Sequence, residues 1–584
     1  MQDVTYIPVN ESSVLLSFGS TIESSIHERL MQAKQLIEQY PFVGFIETVP
    51  AYNSLAVYYD PLQIAKSEET IAATVIKQLK NILQNESVAI DSVVERSVIT
   101  IPVCYEESFG IDLQELSASL QLSIEEIIQL HQGKSYHVFM IGFTPGFPYM
   151  GTVDERLTTQ RKTQPRLQVP PGSVAIAGNQ TGIYPFATPG GWNIIGRTPI
   201  NIFDLQKDNP FLLKAGDEVK FKAITINEFE KYDSSDDLMG RNLTNSINHP
   251  KRISDKKKQI IHIEQCGFLT TLQNTGRTRY LQFGVSKSGA MDEYTAQLAN
   301  TLIGNDPKEA VLEITQSPHR FRFLQDAVIA FTGSGLQPQT EHTIIQLNQP
   351  VFISKGSMIE CKQPIHGFRL YMAVAGGFEA DEFLDSSATD LLVKAGGYQG
   401  RPLQKSDELK LRINLSPLQK TLMTVLKAGA VVSLNITAPD YATSNIRIIK
   451  GAEWNYMDDA SKAILSGGTF SISPQSSRMG YRLKKEAFKT EQACEIISSP
   501  VTQGTMQLTP SGELIILMAD AQTVGGYPRV AQVCAADRSM LSQKKPGDQI
   551  HFQLIDLQLA EELYLKQAAQ LSNIKQTLEQ LYAG

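Results

Sequence analysis

The sequence predicts a mostly β protein of the α+β class, which begins with a small α+β module and continues in β-barrels. Three observations support this prediction. Two stretches with helical spacing of apolar residues lie among short apolar strands in the first hundred residues. Beyond residue 136, short apolar strands alternate with Gly/Pro-rich turns, which is typical of barrels and sandwiches. Similar sequence motifs also recur in the two halves of the chain.

The first module has two helices among its strands. Apolar strands are predicted at 14–18, 55–59 and 97–103, and the second of them is closed by an Asp-Pro turn signal. Apolar residues at helical spacing predict helices over 24–40 and 70–84. Two helices among about four strands predict a ferredoxin-like or split β-α-β arrangement.

The remaining elements follow from caps, turns and composition. Residues 109–130 are predicted to be helical, with Ser123 and Glu126 forming a capping box. The linker predicted at 228–259 is poor in aromatic and large aliphatic residues and carries charged runs. The last segment is an amphipathic helix that we expect to pack on a barrel or at an interface between protomers. The predicted domains are 1–100 for the α+β module, 101–227 for a first barrel, 228–259 for the linker, 260–415 and 416–555 for two further barrels, and 556–584 for the terminal helix.

Composition narrows the class of protein. The chain has 584 residues and a net charge of -8, and its longest cationic run is Lys256–Lys258, so we expect no nucleic-acid partner. No apolar run is long enough to span a bilayer, and the first residues do not resemble a signal peptide. The five cysteines are scattered and form no Cys-x-x-Cys pair. These features predict a cytoplasmic protein with reduced thiols and no membrane association; we also expect a homo-oligomer.

An internal repeat links the two halves. Residues 169–185 contain a Gln-Thr-Gly…Tyr-Pro loop, and residues 501–528 contain a related Gln-Thr-Val-Gly-Gly-Tyr-Pro loop. Each copy is followed by a similar edge, at 215–221 and at 546–552, and a weaker echo lies at 406–411. Several related barrels with equivalent loops would explain this pattern. The alternative is one tight turn used repeatedly, since Gly and Pro alone satisfy turn geometry.

Two dense motifs predict a polar pocket for a small planar ligand. They lie at 142–151 and 187–199 and combine glycines, rigid prolines and aromatic residues. Arg166 and Arg197 are candidates for binding a carboxylate or phosphate through two hydrogen bonds. The alternative is that Phe143, Phe147 and Trp192 only fill the end of a barrel.

The motifs at 142–151, 169–185 and 187–199, together with others in the second half, resemble those of a known family. Residues 1–225 resemble allophanate hydrolase subunit 1, also called the B subunit of 5-oxoprolinase or the sporulation-kinase inhibitor family. Residues 260–555 resemble allophanate hydrolase subunit 2, also called the C subunit of 5-oxoprolinase or the biotin-dependent carboxyltransferase family. The matching words of this second half lie at 270–277, 288–292, 312–315, 373–377, 477–482 and 518–528.

The resemblance implies cyclophilin-like β-barrels after the α+β module. It also implies a component of an ATP-dependent 5-oxoprolinase that works with a separate A subunit on a small amide substrate. ATP with Mg²⁺ would be the co-substrate, although the sequence contains no Walker A loop. One alternative is carboxyl transfer as in the related urea enzyme, which would require biotin in trans because no Met-Lys-Met word is present. Another is a regulatory protein that inhibits a histidine kinase.

The resemblance also implies roles for individual residues. His131 is a candidate acid/base, with a structural hydrogen bond as its alternative. Asp292 and Asp520 are candidates for orienting substrate or a magnesium-bound phosphate, with turn capping as their alternative. The substrate- and nucleotide-binding candidates are Phe143, Pro145, Gly146, Arg166, Gln180, Thr181, Tyr184, Trp192, Arg197, Gln273, Arg277, Arg478, Arg482, Gln522, Thr523 and Tyr527. Two family motifs have lost a charged residue, at Asn274 and at Ser387, which argues against carboxyl transfer.

Overall fold

A computed structural model describes residues 4–65, 69–84, 98–232, 259–364, 366–432, 434, 436–484, 488–489 and 496–582. Most of the linker predicted at 228–259 therefore lies outside the described residues, as do residues 85–97 of the first module. Within the described ranges, no helix combines the length and the apolar character that crossing a membrane requires.

The N-terminal module is a four-stranded antiparallel sheet with two helices on one face. Leu30 and Ile37 of the first helix and Val75 and Leu79 of the second pack on this face, as their spacing predicts. The strand order is β1-β2-β4-β3 with all described pairings antiparallel, and two strands precede the first helix, so the β-α-β-β-α-β order of a ferredoxin-like module is not confirmed. The elements are β1 Thr5–Asn10, β2 Ser13–Ser17, α1 Ser24–Gln39, β3 Phe45–Pro50, β4 Ser54–Tyr59 and α2 Ile71–Gln84.

The next region is a closed seven-stranded barrel with a two-stranded ribbon beside it. The strand predicted at 97–103 belongs to its wall, where the first strand runs parallel to the last. The helix predicted over 109–130 is divided in two, because Gln121 adopts a left-handed φ of 56° and the predicted capping box then starts a new helix. The elements are β5 Val98–Cys104, α3 Leu113–Leu120, α4 Ile124–Gln132, β6 Ser135–Ile141, β7 Pro148–Gly151, β8 Arg166–Val169, β9 Ser173–Ala177, β10 Gln180–Ile183, β11 Thr188–Gly190, β12 Asn193–Arg197, β13 Glu218–Ile224 and α5 Ile226–Glu230.

The second half opens with two five-stranded sheets where the sequence predicted a third barrel. Their apolar faces pack on one another around Leu312, Phe321 and Phe331, so the strands form a layered core without closing into a barrel. The elements are β14 Gln259–Gln265, β15 Leu269–Gln273, α6 Glu293–Leu302, β16 Val311–Thr315, β17 His319–Phe323, β18 Ala327–Gly333, β19 Leu336–Gln339, β20 Pro350–Ile353, β21 Met358–Pro364, β22 Arg369–Val374, β23 Glu408–Lys410 and α7 Pro417–Lys427.

A second closed seven-stranded barrel follows, again with a parallel pair between its first and last strands. The similar segments at 215–221 and 546–552 each contribute to the last strand of a barrel, and in both barrels this strand pairs parallel with the first. The two segments are therefore structurally equivalent. The elements are β24 Asn445–Lys450, α8 Asp459–Gly467, β25 Thr469–Ile472, β26 Gly480–Lys484, β27 Ser499–Pro500, β28 Thr505–Leu508, β29 Leu514–Leu517, β30 Val524–Gly525, β31 Arg529–Val533, α9 Arg538–Ser542, β32 Gln549–Leu554 and α10 Leu557–Tyr582.

A chain of two histidines joins the N-terminal module to the first barrel. His27 Nε2 lies 2.7 Å from the carbonyl oxygen of Phe139, and its Nδ1 lies 2.8 Å from Nε2 of His137. His137 in turn lies 2.9 Å from the Glu218 carboxylate. Burial, followed by the neighbouring His137, lowers the pKa of His27 to about 3. A neutral His27 therefore donates to Phe139 through Nε2 and accepts from His137 through Nδ1.

The C-terminal helix α10 connects the second half back to the first. Leu557 and Leu565 pack on the N-terminal module, whereas Ile574 and Leu578 pack in the core beside α6. The Glu561 carboxylate accepts hydrogen bonds from the first two amides of α2, Ile71 N at 2.7 Å and Ala72 N at 3.0 Å. The sequence predicts that this helix packs on a barrel or at an interface between protomers. In this single chain it packs on the N-terminal module and beside α6.

Candidate functional site

A cleft of about 1140 Å³ lies where the two halves of the chain meet. One wall comes from the N-terminal module, at 10–12, 44–47 and 58–63. The loop at 274–281 forms a second wall, and turns of the second barrel together with α10 complete the enclosure. Its volume is slightly above the range of about 300–1,000 Å³ that is typical of small-molecule sites. The cleft is thus the candidate site, and both halves are needed to form it.

Three of the residues predicted from the sequence line this cleft, namely Arg277, Gln522 and Thr523. The Arg277 guanidinium is buried and donates to Asp390 at 3.1 Å and to the Ala388 carbonyl at 3.0 Å, while its Nε has no partner. Burial lowers the pKa of Arg277. The Thr523 hydroxyl is buried without a hydrogen-bond partner. Gln273, four residues before Arg277, is fully buried, and its Nε2 donates a hydrogen bond to the Thr389 carbonyl at 3.2 Å.

The predicted aromatic pocket of the first barrel is filled by its own side chains. The Phe147 ring centroid lies 5.5 Å from that of Trp192 and 5.1 Å from that of Tyr184, in edge-to-face contacts. All three side chains belong to one buried cluster. Phe143 remains partly exposed, in a left-handed conformation with φ 65°. The alternative that these aromatic residues fill a barrel end is therefore the one that the structure supports.

The polar candidates of the first barrel are also engaged within the protein. Arg166 donates to both oxygens of Asp112, at 2.9 and 2.6 Å, and Arg197 Nε donates to the Pro171 carbonyl at 2.8 Å. Thr181 binds His131, and Gly146 N donates to Phe283 O at 2.9 Å. Pro145 is buried, while Gln180 and Tyr527 are half-buried. Among the described residues that line the cleft, none of these side chains is present.

His131 lies inside the first barrel and outside the cleft. It is completely buried, its Nδ1 lies 2.8 Å from Tyr105 Oη, and its Nε2 lies 2.9 Å from Thr181 Oγ1. Its ring also stacks on Phe221 at 4.5 Å. Burial lowers the pKa of His131 to about 3. With both ring nitrogens occupied and its side chain outside the lining of the cleft, His131 fits the structural alternative.

The low pKa of His131 makes the stability of the barrel pH-dependent. Because the pKa falls from 6.5 in the unfolded chain to about 3, unfolding takes up a proton between these values. This contribution to stability is fully present above pH 6.5 and is lost as the pH falls towards 3, at about 1.4 kcal/mol per pH unit. Urea denaturation between pH 7 and pH 5 should show a shallower pH dependence for His131→Phe than for the unaltered protein. An unchanged slope would contradict the assignment.

Asp292 and Asp520 occupy different structural positions. Asp292 is fully buried and caps α6 by accepting from Thr295 N at 3.1 Å, which is the capping role that the sequence left open. Burial raises the pKa of Asp292. Asp520 accepts from Ser288 Oγ at 3.0 Å and from two nitrogens of Arg478, at 2.7 and 3.0 Å. In the described part of the chain, no group of three or more His, Cys, Asp or Glu side chains is arranged to hold a metal ion.

Arg478 is the centre of a buried charge network in the second half. Besides Asp520, it binds Glu313 through Nη1 and the Gly289 carbonyl at 2.6 Å. Glu313 also accepts from Tyr371 Oη at 2.8 Å and from Met291 N at 2.7 Å. Arg478 is therefore a structural cation whose charge is already compensated. Arg482, the other predicted anion contact, forms an exposed pair with Glu513 at 2.7 Å and does not line the cleft.

The glycine corners of the two halves meet beside the cleft. A Cβ added to Gly142 would lie 2.1 Å from Val524 Cγ2 of the second barrel, and one added to Gly284 would lie 2.6 Å from the Thr144 carbonyl. Gly284 also requires a positive φ of 75°. Leu281 and Thr523, close to these contacts in sequence, line the cleft itself. The corners that the sequence singled out thus hold the halves together at the edge of the site.

Three charged residues of the cleft carry no signal in the sequence. Glu11 accepts from Ala535 N at 2.7 Å with one oxygen, while its other oxygen is buried without a partner. Glu47 accepts from Arg279 N at 2.6 Å and from Leu281 N at 3.0 Å. Arg538 is half-buried, and its side chain makes no hydrogen bond or ion pair within the described ranges. None of them lies in a recognisable motif, and Glu11 and Glu47 gain their positions from contacts with residues more than 230 positions away.

Comparisons with known proteins agree with this two-part organisation. Residues 4–213 match the family model "Carboxyltransferase domain, subdomain C and D", and residues 283–554 match "Carboxyltransferase domain, subdomain A and B". The B subunit of 5-oxoprolinase from Bacillus subtilis (strain 168) is 41% identical over 226 residues, or 38% of this chain and 94% of that protein. The C subunit of 5-oxoprolinase from Escherichia coli (strain K12) is 34% identical over 311 residues, or 53% of this chain and 96% of that protein.

A solved structure extends the similarity to both halves at once. The crystal structure of TTHA0988 superposes with a TM-score of 0.77 at 29% sequence identity, covering 93% of this chain and 99% of that one. The two matches to 5-oxoprolinase components therefore follow one another in a single, fused arrangement. The chain belongs to the carboxyltransferase-domain family of the B and C subunits of 5-oxoprolinase and joins both in one polypeptide.

Proposed function

We propose that this protein is the fused B and C component of an ATP-dependent 5-oxoprolinase, which cleaves 5-oxo-L-proline to L-glutamate together with a separate A subunit. The observation that supports this most directly is the cleft, whose walls come from both the B-like half and the C-like half. A site that needs both halves gives a physical reason for joining them in one chain.

The chemistry requires activation of a stable amide. The lactam of 5-oxoproline is unreactive at neutral pH, so its carbonyl oxygen must become a leaving group before water attacks. Transfer of the γ-phosphoryl group of ATP to that oxygen releases ADP. Attack of a first water on the carbonyl carbon, with protonation of the ring nitrogen, breaks the C–N bond and leaves an acyl phosphate, which a second water hydrolyses to glutamate and phosphate. Catalysis of this kind depends on positioned cations more than on a covalent nucleophile. ATP and Mg²⁺ enter this scheme as co-substrate, not as a resident cofactor.

Within the cleft, we assign the contact with an anionic group to Arg538. Its guanidinium is half-buried beside the turn at 501–503, and the described residues offer it no carboxylate partner. A partly buried arginine without a counter-ion binds carboxylate or phosphate strongly, because the guanidinium forms two parallel hydrogen bonds. Its ligand would be the carboxylate of 5-oxoproline or a phosphate of ATP.

Replacing Arg538 by methionine should raise the KM for the ligand that it binds by about 10- to 100-fold, the value expected for losing a charge-assisted hydrogen bond. Steady-state kinetics with 5-oxoproline and ATP varied separately will identify which substrate is affected. Arg322→Met is the matched control, because Arg322 forms an exposed pair with Glu264 on the surface of the second half. An unchanged KM for both substrates in Arg538→Met would remove Arg538 from the site.

The whole proposal is tested by reconstitution. The purified protein, mixed with the A subunit, ATP and 5-oxoproline, should produce glutamate and ADP in equal amounts. Carboxyl transfer remains the alternative, and adding a carboxylated biotin carrier with urea tests it directly. Tight binding to a sensor kinase without either activity would favour the regulatory alternative. Absence of glutamate in the complete mixture would overturn the proposed function.

A further inference from the structure

Glu47 forms a direct polar connection between the two halves at the cleft. It lies on β3 of the N-terminal module and is only 4% exposed. Its Oε1 accepts from Arg279 N at 2.6 Å and its Oε2 accepts from Leu281 N at 3.0 Å, so one carboxylate holds two amides of the same loop. Both amides belong to the second half, more than 230 residues away in sequence. A buried carboxylate bound in this way fixes the backbone it contacts.

The loop held by Glu47 forms one wall of the cleft. Residues 274–279 and Leu281 line the cavity, and the loop then continues to Gly284, which abuts Gly142 of the first barrel. Arg279 has a φ of 74°, a left-handed conformation that costs energy for a residue other than glycine. Such a conformation persists only where surrounding contacts enforce it. The two hydrogen bonds that Glu47 accepts from this loop are contacts of this kind.

The surroundings of Glu47 make this contact sensitive to pH. Burial raises the pKa of Glu47 to about 7, while the two backbone amides and the Arg279 side chain partly oppose this shift. Glu38 of α1 raises the pKa further, and Tyr58 of β4 and Tyr280 of the loop are the other titratable groups near the carboxyl. Both oxygens are full hydrogen-bond acceptors only when the carboxyl is ionised. Burial outweighs these hydrogen bonds, because the pKa of the enclosed carboxyl is raised above its ordinary value of 4.5, so the contribution of Glu47 to the stability of the loop contact is fully present below pH 4.5 and is lost as the pH rises through 7.

We propose that Glu47 is a positioning residue, which holds the 274–281 loop of the second half in its cleft-lining conformation and thereby couples the two halves. It acts on the site through the backbone of the loop and does not itself contact substrate. The geometric part of this proposal is independent of the reaction, whereas its kinetic consequence rests on the proposed function.

Amide hydrogen exchange tests the geometric part. In Glu47→Gln, only one oxygen can accept, and the new NH₂ group faces a backbone N–H, so exchange at Arg279 or Leu281 should accelerate by about 10- to 100-fold. Glu11→Gln is the matched control, because Glu11 uses a single oxygen and a glutamine can retain its bond to Ala535 N. In the unaltered protein, protection at both amides, corrected for intrinsic exchange, should fall as the pH rises from 4.5 through 7, and Glu47→Gln should lack this fall.

The kinetic part is tested with the reconstituted enzyme. Glu47→Gln should lower kcat about tenfold, as expected for a displaced loop, and should lack the pH inflection near 7 that we expect of the unaltered enzyme. If Glu47→Gln does not fold, Glu47→Asp serves instead, since it keeps the charge but shortens the reach. Exchange at both amides that matches the unaltered protein would overturn the positioning role. Altered exchange without glutamate formation by any variant would instead uphold this role and overturn the proposed function.

Discussion

Replacing Arg478 by alanine is expected to lower the free energy of unfolding of the second half by about 3–5 kcal/mol, the cost of leaving buried charges without their partner. Arg478 is 7% exposed and compensates both Glu313 and Asp520. Its removal leaves Glu313, which is 1% exposed, with only Tyr371, Arg369 and a backbone amide. Urea denaturation followed by tryptophan fluorescence and circular dichroism will report the loss as a lower midpoint.

The neighbouring pair between Arg482 and Glu513 provides the control. Its two side chains are 42% and 30% exposed, so Arg482→Ala should change stability by no more than about 1 kcal/mol. A double variant, Arg478→Ala with Glu313→Gln, should recover part of the loss, because the uncompensated charge is removed together with its partner. Equal midpoints for Arg478→Ala and Arg482→Ala would mean that the buried network contributes nothing to stability.

Much of the fold could be predicted because local sequence signals agreed with it. Helix α1 and the capping box of α4 follow from apolar spacing and from a serine and a glutamate three residues apart. The repeated edges identified two equivalent barrels, because each edge is the last strand and pairs parallel with the first. The two sheets between them were predicted as a barrel, since strand patterns reveal alternation but not whether a sheet closes.

The candidate site was much harder to predict, because its walls are built from distant parts of the chain. The sequence motifs identified the rigid corners correctly as places where the chain is constrained, yet most of those side chains fill cores or bind partners. Trp192 and His131 are examples, since their chemistry suits a ligand site but burial gives them structural roles. The sequence around Glu47 and Arg538 contains no motif that predicts their roles. The role of Glu47 depends on the distant backbone that it binds, and that of Arg538 depends on the cleft that it faces.

The glycine corner at position 142 leads to the second large effect. Gly142→Ala should destabilise the junction of the two halves by about 3 kcal/mol, at the upper end for overpacking, because its Cβ would lie 2.1 Å from Val524 Cγ2. Both backbones at this point are fixed, since Gly142 N donates to Phe147 O at 3.0 Å and β30 pairs with β27. Thermal melting will show the loss, and glutamate formation should fall with it because the cleft borders the junction.

Shortening the opposing side chain should reverse this effect. In the double variant Gly142→Ala with Val524→Ala, the contact at 2.1 Å with Val524 Cγ2 disappears and the Val524 Cβ remains at 3.3 Å, so the two substitutions together should cost less than their sum. Gly467→Ala is the control, because its Cβ would meet no atom within 4 Å, and alanine there should leave stability unchanged or raise it. Additive losses in the double variant would show that Gly142 and Val524 do not contact one another. The halves would then have to be held together elsewhere, through α10 and the aromatic contacts around Phe211 and Phe283.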